Sequence, residues 1–233
     1  MFDCLYEESL SRAEHRIWIL SDLQQALPEN TRRCLDAGIS DFKSIGLPAD
    51  QIWYLGDAVE GEEKERLRDM CRLQEEAFAS LSLPLCYATG NHDYDYARAH
   101  RDQVPWLPFY ETVRDHPGWK TADSCEDFWF HTEVGKYPVY FYGHSHIGDW
   151  KWAKKDAWRR ISWVDWHDVP QIDVSSFENI RGRSCRSVFL HIHREGTMGV
   201  FFRDHDRHCF TEAYFPSPEN GPAGWDDMRG LWG

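Results

Sequence analysis

The stretch PLCYATGNHD, residues 84–93, sets an amide, an imidazole and a carboxylate side by side directly after a short apolar run. An apolar run of this length that ends at a glycine is typical of a buried strand followed by a loop. Two earlier segments repeat the form, because RIWIL at 16–20 and QIWYL at 51–55 also stop at polar residues. The sequence therefore predicts three strands with polar side chains at their ends.

Helical patterns separate these strands. Pro28 opens a segment that has Leu35, Ile39 and Phe42 at helical spacing. Between residues 62 and 82, the positions that share one helical face are Leu67, Met70, Cys71, Gln74, Ala77, Phe78 and Leu81. Strands that alternate with helices predict parallel pairing with right-handed crossovers, and ligands in such sheets bind beyond the carboxyl ends of the strands. All three polar clusters are expected at one edge of the sheet.

The second half of the chain is β-rich. The segments at 127–146, 170–176 and 185–204 have strand-like composition, and the last predicts a hairpin about Glu195 and Gly196. We expect these segments to form a second sheet that packs against the first. The predicted fold class is α/β, with two sheets.

Length and charge limit the classes of protein. A chain of 233 residues can bury a sizeable core, and we expect one domain at 1–215 followed by a loose tail at 216–233, which is rich in Pro and Gly. The 39 acidic and 26 basic residues give a net charge of -13, which disfavours generic nucleic-acid binding. No apolar stretch approaches the ~18 residues of a membrane span, and the start lacks a secretory leader pattern. The expected location is the cytoplasm, without membrane contact.

The seven cysteines are scattered, odd in number and never in a CxxC pair. This pattern argues against both a disulfide framework and a zinc ribbon. Reduced, mostly buried thiols are expected. The sequence indicates no particular oligomeric state.

Side chains suited to divalent metal ions follow the predicted strand ends. They are Asp22, Gln24, Asp57, Asn91, His144 and His146. One aspartate can bridge two ions while imidazole and amide groups fill the remaining positions. Asp22 and Asp57 are nearly as far apart in sequence as Asp57 and Asn91. Each separation is about the length of one strand-helix-strand unit. A lone GD or HxH occurs by chance, whereas the ordered set predicts a metal site.

The order of four motifs resembles the calcineurin-like metallophosphoesterase superfamily over residues 16 to about 204. The motifs are DxQ (Asp22, Gln24), GDxxE (Gly56, Asp57, Glu60), GNHD (Gly90 to Asp93) and GHxH (Gly143 to His146). The resemblance implies a two-sheet metallophosphoesterase sandwich flanked by helices, in four layers α/β/β/α. It also implies a metal-dependent hydrolase of small phosphomonoesters or phosphodiesters.

The resemblance further implies a dinuclear centre in which Asp57 bridges two divalent ions. The ligands of one ion would be Asp22, Gln24, Asp57 and His146. Those of the other would be Asp57, Asn91 and His144. A bridging hydroxide would attack phosphorus in line.

Two catalytic residues are implied by the same resemblance. His92 would face the oxygen of the leaving group and supply its proton, and Glu60 would orient His92. Adjacent side chains in an extended strand end point in opposite directions, so Asn91 and His92 are not expected to bind the same ion.

Three features depart from the family pattern. Gln24 stands where the family usually has histidine, and its harder amide oxygen favours Mn²⁺ or Mg²⁺ over Zn²⁺; we expect Mn²⁺ first, with Fe also compatible. The usual further metal histidine between GNHD and GHxH is not apparent: His131 replaces it, no residue does, or a segment is missing between Phe141 and Tyr142. Asp93 replaces the glutamate common in protein phosphatases, and no arginine follows the GDAVE segment. These last differences argue against a protein Ser/Thr phosphatase.

Other histidine-rich stretches have simpler explanations. His191 and His193 alternate along a predicted strand without a preceding carboxylate cluster, so we interpret them as one face of that strand. RDHDRH at 203–208 is predicted to be a solvated turn. HSHIGD at 144–149 lacks the final histidine of the HxHxDH motif of metallo-β-lactamase folds.

A catalytically impaired metal-binding or scaffolding protein of the same fold is the alternative function. The absent histidine favours this alternative. The presence of both His92 and Glu60 favours the enzyme, because a protein without catalysis has no need of an acid and its orienting carboxylate.

Overall fold

The computed structural model describes residues 1–46, 49–60, 64–90, 92–93, 108–122, 140–143, 161–163, 170–178 and 184–215. The helices are α1 (Phe2–Arg12), α2 (Pro28–Ser44), α3 (Lys64–Ala79) and α4 (Pro108–Asp115). The strands are β1 (Ala13–Leu20), β2 (Gln51–Tyr54), β3 (Leu85–Ala88), β4 (Trp119–Ala122), β5 (Tyr140–Tyr142), β6 (Ile161–Trp163), β7 (Pro170–Asp173), β8 (Arg186–His193), β9 (Met198–Asp204) and β10 (Cys209–Tyr214).

Seven strands form one mixed sheet in the order β10-β9-β8-β1-β2-β3-β4. Strands β1 to β4 are parallel to one another. Helix α2 connects β1 to β2, and α3 connects β2 to β3. The three predicted strands, their parallel pairing and the two intervening helices are therefore confirmed. Helix α1, which covers β8, β9 and β10, is an additional element that the periodicity of the sequence does not predict.

Within the described residues, the second sheet has three strands. It has the order β5-β7-β6, with β7 parallel to β5 and antiparallel to β6. The predicted hairpin about Glu195 and Gly196 exists as β8 and β9, but β8 pairs antiparallel with β1 and extends the first sheet. The free edge of β1 needs hydrogen-bond partners, and composition alone does not show which strand supplies them.

Two hydrophobic cores lie on the two faces of the large sheet. Trp18 and Phe42 belong to the core beneath the helices, whereas Ile17, Ile19 and Ile172 belong to the core between the sheets. Because both faces of β1 are buried, RIWIL is apolar without alternation. The predicted two-sheet α/β sandwich is confirmed. All four described helices pack in the first core. The helices of the predicted fourth layer are therefore not among the described residues, and the predicted tail at 216–233 also lies outside them.

The predicted solvated turn at 203–208 is confirmed only in part, because residues 205–208 form a turn with 206–208 exposed whereas residues 203–205 are buried. Arg203 and His205 are buried because they bind the carboxylate of Asp41 on α2. That carboxylate accepts hydrogen bonds from Arg203 Nε (2.8 Å) and Nη2 (2.7 Å), and it lies 2.7 Å from His205 Nδ1 and 2.8 Å from His208 Nδ1. Burial opposes ionisation of Asp41, but these bonds outweigh burial and hold its pKa below the ordinary value. A buried charge needs such partners.

His191 and His193 lie on β8 with their side chains under α1, as the strand interpretation predicts. Ser9 Oγ lies 3.0 Å from His191 Nδ1 and 2.7 Å from His193 Nε2. Both imidazoles are buried. Burial lowers the pKa of His191 to about 3, so the ring is neutral. These histidines contribute to the core.

The neutral His191 predicts a loss of stability in acid. Its pKa falls from 6.5 to about 3 on folding, so its contribution to stability is complete above pH 6.5 and is lost as the pH falls towards 3. His191→Phe should reduce the difference in unfolding free energy between pH 7 and pH 4 by roughly 3 kcal/mol. Urea titrations of both proteins at the two pH values measure this. An unchanged difference would show that His191 does not contribute.

The six cysteines in the described part of the chain are free thiols, and Cys34, Cys71 and Cys185 are buried. A membrane-spanning helix is not found among the described residues, since none of their helices is both long and apolar enough.

Candidate metal centre

The loops after β1, β2 and β3 meet at one edge of the large sheet, as predicted. The N–H of Asp22 donates to the carbonyl of Gly56 (3.1 Å), and the N–H of Gln24 donates to the carbonyl of Asp57 (3.0 Å). Gly56 lies against Gly90, and a Cβ on Gly56 would overlap the backbone nitrogen of Gly90. The three loops are in direct contact, which places their polar residues together.

The carboxylates of Asp22 and Asp57 are neighbours at this edge. They are 0% and 2% exposed, and each is close enough to affect the ionisation of the pair. Burial and the negative charge of Asp22 raise the pKa of Asp57 to about 8. Two buried carboxylates side by side require a proton or a cation between them. The pair therefore fits a divalent cation.

The backbone is strained at three of the predicted ligands. The φ angles of Asp22, Gln24 and Asp57 are 56°, 33° and 52°. This left-handed region is uncommon for residues other than glycine, and strain of this kind costs ~1–3 kcal/mol per residue and concentrates at functional sites. Aspartate adopts this region more often than most residues, which suits Asp22 and Asp57.

The second sheet reaches the same edge through the end of β5. The backbone of Gly143 lies so close to the first loop that a Cβ there would overlap Ser21 Oγ and Asp22 Oδ2. After β7, the N–H of Phe177 donates to the carbonyl of Ser21 (2.8 Å). The GHxH motif thus begins beside Asp22, and this close approach requires its glycine.

Three of the six predicted ligands, Asn91, His144 and His146, lie outside the described residues, as does His131. Among the residues that are described, no three His, Cys, Asp or Glu side chains are grouped to hold a metal ion. The structure therefore brings together the Asp22 and Asp57 carboxylates and the backbone of Gln24. Phe141 and Tyr142 both pair with β7 within β5, and the three alternatives for the further histidine stay predictions.

The backbone of His92 binds the side chain of Asp57, the predicted bridging ligand. Its N–H donates to Asp57 Oδ1 at 2.7 Å, and the residue is half-buried. Glu60 follows the loop after β2, where its N–H donates to the carbonyl of Gln25 (3.2 Å). No hydrogen bond joins Glu60 to His92 among the described residues, so its orienting role stays a prediction.

Asp93 is the residue of this edge whose role the sequence analysis missed. Its carboxylate is 2% exposed and accepts the N–H groups of Asp57 (3.0 Å), Ala58 (3.2 Å) and Gly90 (2.7 Å), together with the hydroxyl of Tyr87 (2.5 Å). An aspartate three residues after a turn glycine is a known signal for the local bond to that glycine. The bonds to Asp57 and Ala58 join residues far apart in sequence, so no local sequence pattern predicts them.

Comparisons with known proteins agree with the motif order. The family model described as calcineurin-like phosphoesterase matches residues 15–204. No curated protein sequence matches the chain significantly. Among solved structures, purple acid phosphatase PPD1 from seeds of yellow lupin (Lupinus luteus) is similar, with a TM-score of 0.46 and 10% sequence identity. The similarity covers 86% of this chain and 53% of that chain, so the present chain spans about half its length.

Proposed function

We propose a metal-dependent hydrolase of small phosphomonoesters or phosphodiesters, on the premise that the chain belongs to the calcineurin-like phosphoesterase family. The observation that carries the proposal is the pair of buried carboxylates, Asp22 and Asp57, at the strand ends. Their mutual repulsion in a buried position has no structural benefit. Divalent cations bound between the two carboxylates would remove this repulsion.

The proposed centre holds two ions, with Mn²⁺ as the first candidate and Mg²⁺, Fe or Zn²⁺ as alternatives. Its ligands are Asp22, Gln24, Asp57 and His146 for one ion, and Asp57, Asn91 and His144 for the other. Asp57 suits the bridging role because it is bonded both to the loop after β1, through its carbonyl, and to the loop after β3, through Oδ1. Such ions supply a nucleophile from water at neutral pH and neutralise the phosphoryl oxygens.

The proposed role of His92 is to give a proton to the leaving oxygen. Its backbone N–H is committed to Asp57, so the position of the residue is set without use of its ring. The imidazole is thereby left available for proton transfer, the task for which enzymes use histidine most often. Glu60 would orient that ring. General acid catalysis of this kind contributes about 10²–10⁴ in rate.

Metal removal tests the proposal. The protein is dialysed against EDTA and assayed with p-nitrophenyl phosphate and bis(p-nitrophenyl) phosphate before and after Mn²⁺ is restored. We expect activity to disappear and return, and the ratio of the two rates to distinguish a monoesterase from a diesterase. Metal binding without turnover of either substrate, with any divalent ion, would favour the scaffolding alternative.

A matched pair of variants supports this test. Asp22→Asn should lose the metal-dependent activity. Asp115→Asn removes the same charge from an exposed side chain at the end of α4, before β4 and so at the opposite edge of the sheet. It should retain full activity. Equal activity of the two variants would contradict the site.

Gln24 is expected to set the preference between metals. Gln24→His replaces a hard oxygen donor by imidazole, so the variant should still bind two ions while its preference for Zn²⁺ over Mn²⁺ rises by about tenfold. Elemental analysis after equilibration with equal concentrations of both ions measures the ratio. An unchanged ratio would show that the side chain of Gln24 is not a ligand.

A further inference from the structure

We infer that Asp93 is a positioning residue of the metal centre, and that it holds Asp57 in its bridging position without contacting metal or substrate. This inference rests on the proposed function. It assigns a task to a buried carboxylate of this edge that is neither a proposed metal ligand nor the proposed acid.

Both oxygens of Asp93 are occupied by protein donors. Oδ2 accepts the N–H of Asp57 at 3.0 Å, the N–H of Gly90 at 2.7 Å and the hydroxyl of Tyr87 at 2.5 Å. Oδ1 accepts the N–H of Ala58 at 3.2 Å. Three donors saturate Oδ2 and a fourth occupies Oδ1, in a residue that is 2% exposed, so the carboxylate is used by N–H and O–H groups of the protein. Asp93 therefore acts through its neighbours.

The bonds to two consecutive N–H groups fix both peptide planes around Asp57. One plane carries the N–H of Asp57 and the other the N–H of Ala58. Between them lies the strained φ of 52° at Asp57, a conformation that persists only when the surroundings over-determine it. In return, Asp57 Oδ1 accepts the N–H of His92 at 2.7 Å. The loops after β2 and β3 hold each other through reciprocal bonds.

The bonds between Asp93 and the loop of Asp57 are supported by buried side chains of the core. Tyr87 of β3 is fully buried, and its ring packs edge-on against Tyr54 at a centroid distance of 5.2 Å. The hydroxyl of Tyr54 donates to Gln74 Oε1 (2.9 Å), and Gln74 Nε2 donates to the carbonyl of Ala58 (2.9 Å). The loop that carries Asp57 is thus bound by Asp93 and by Gln74 of α3.

The groups around position 93 can all be satisfied by a carboxylate but not by an amide. All four groups around Asp93 are donors, and the NH₂ group of an asparagine would direct its own hydrogens at some of them. A buried donor that loses its acceptor is costly. Residues that support a metal ligand from the second layer typically affect metal affinity by about 10–100-fold.

The test measures binding of Mn²⁺ to the purified full chain by isothermal titration calorimetry. We expect Asp93→Asn to raise the Kd for Mn²⁺ by about 10–100-fold. Asp41→Asn is the matched control, because it alters an equally buried carboxylate with several donors in the network of Arg203 and His205. It should lower the melting temperature and leave the Kd within about twofold.

A second variant covers the case in which Asp93→Asn does not fold. Tyr87→Phe removes one donor and keeps the ring, and it should raise the Kd by about three- to tenfold and reduce hydrogen-exchange protection of the amides of Asp57 and Gly90.

The outcomes separate this inference from the proposed function. If the wild-type chain binds Mn²⁺ and folded Asp93→Asn binds it equally well, the positioning role is refuted while the proposed function stands. If Asp93→Asn does not fold, an unchanged Kd and unchanged protection in Tyr87→Phe refute it. A wild-type chain that binds no divalent ion overturns the proposed function and this inference together.

Discussion

Replacement of Asp57 by asparagine is expected to remove metal from both sites and to lower the rate of hydrolysis by on the order of 10³-fold or more. A bridging carboxylate serves both ions, so its loss affects both, whereas loss of a ligand to one ion affects that ion first. Asparagine keeps an oxygen that can accept the N–H of His92, so the local fold should survive. Elemental analysis of the purified variant measures the metal content.

The stability of the metal-free variant provides the control. The pKa of Asp57 is raised from 3.8 to about 8 by burial and by Asp22, so the metal-free wild-type protein should lose stability as the pH rises from about 4 to about 8. Asp57→Asn removes that contribution and should be at least as stable as the wild type in EDTA at pH 8. Two equivalents of metal in this variant would overturn the bridging assignment.

His92→Ala is expected to keep its metal and to lose roughly 10²–10⁴ in rate on substrates with poor leaving groups, the usual contribution of a general acid. The metal is retained because the bond from residue 92 to Asp57 Oδ1 uses the backbone N–H, which alanine also has. p-Nitrophenolate leaves with little need of a proton, so the loss on p-nitrophenyl phosphate should be much smaller. Rates on an alkyl phosphate and on p-nitrophenyl phosphate measure the contrast.

Glu60→Gln should reproduce this contrast more weakly, since it would disturb the orientation of His92 without removing it. Equal losses on both substrates would exclude His92 as the acid, and a fall in bound metal would make it a ligand. A purely structural role predicts lower stability with no dependence on the leaving group.

The sequence by itself determined the strand-helix alternation and the edge at which the site forms. Apolar runs of strand length, separated by helical periodicity, lead to parallel strands, and polar residues that follow such strands must meet at their carboxyl ends. Asp22, Gln24 and Asp57 could be placed at one edge for this reason. The placement of His191 and His193 on one face of a strand also followed from the sequence, because alternation along a strand is a local property.

Only the tertiary structure decided features that depend on contacts between distant residues. The hairpin of β8 and β9 joined the first sheet because β1 had a free edge, and Arg203 and His205 became buried because α2 carries Asp41 above them. The four bonds of Asp93 likewise come mainly from another loop and from Tyr87. Composition and periodicity report the local environment of a residue, whereas the partner of a buried charge is set by which elements the fold brings together.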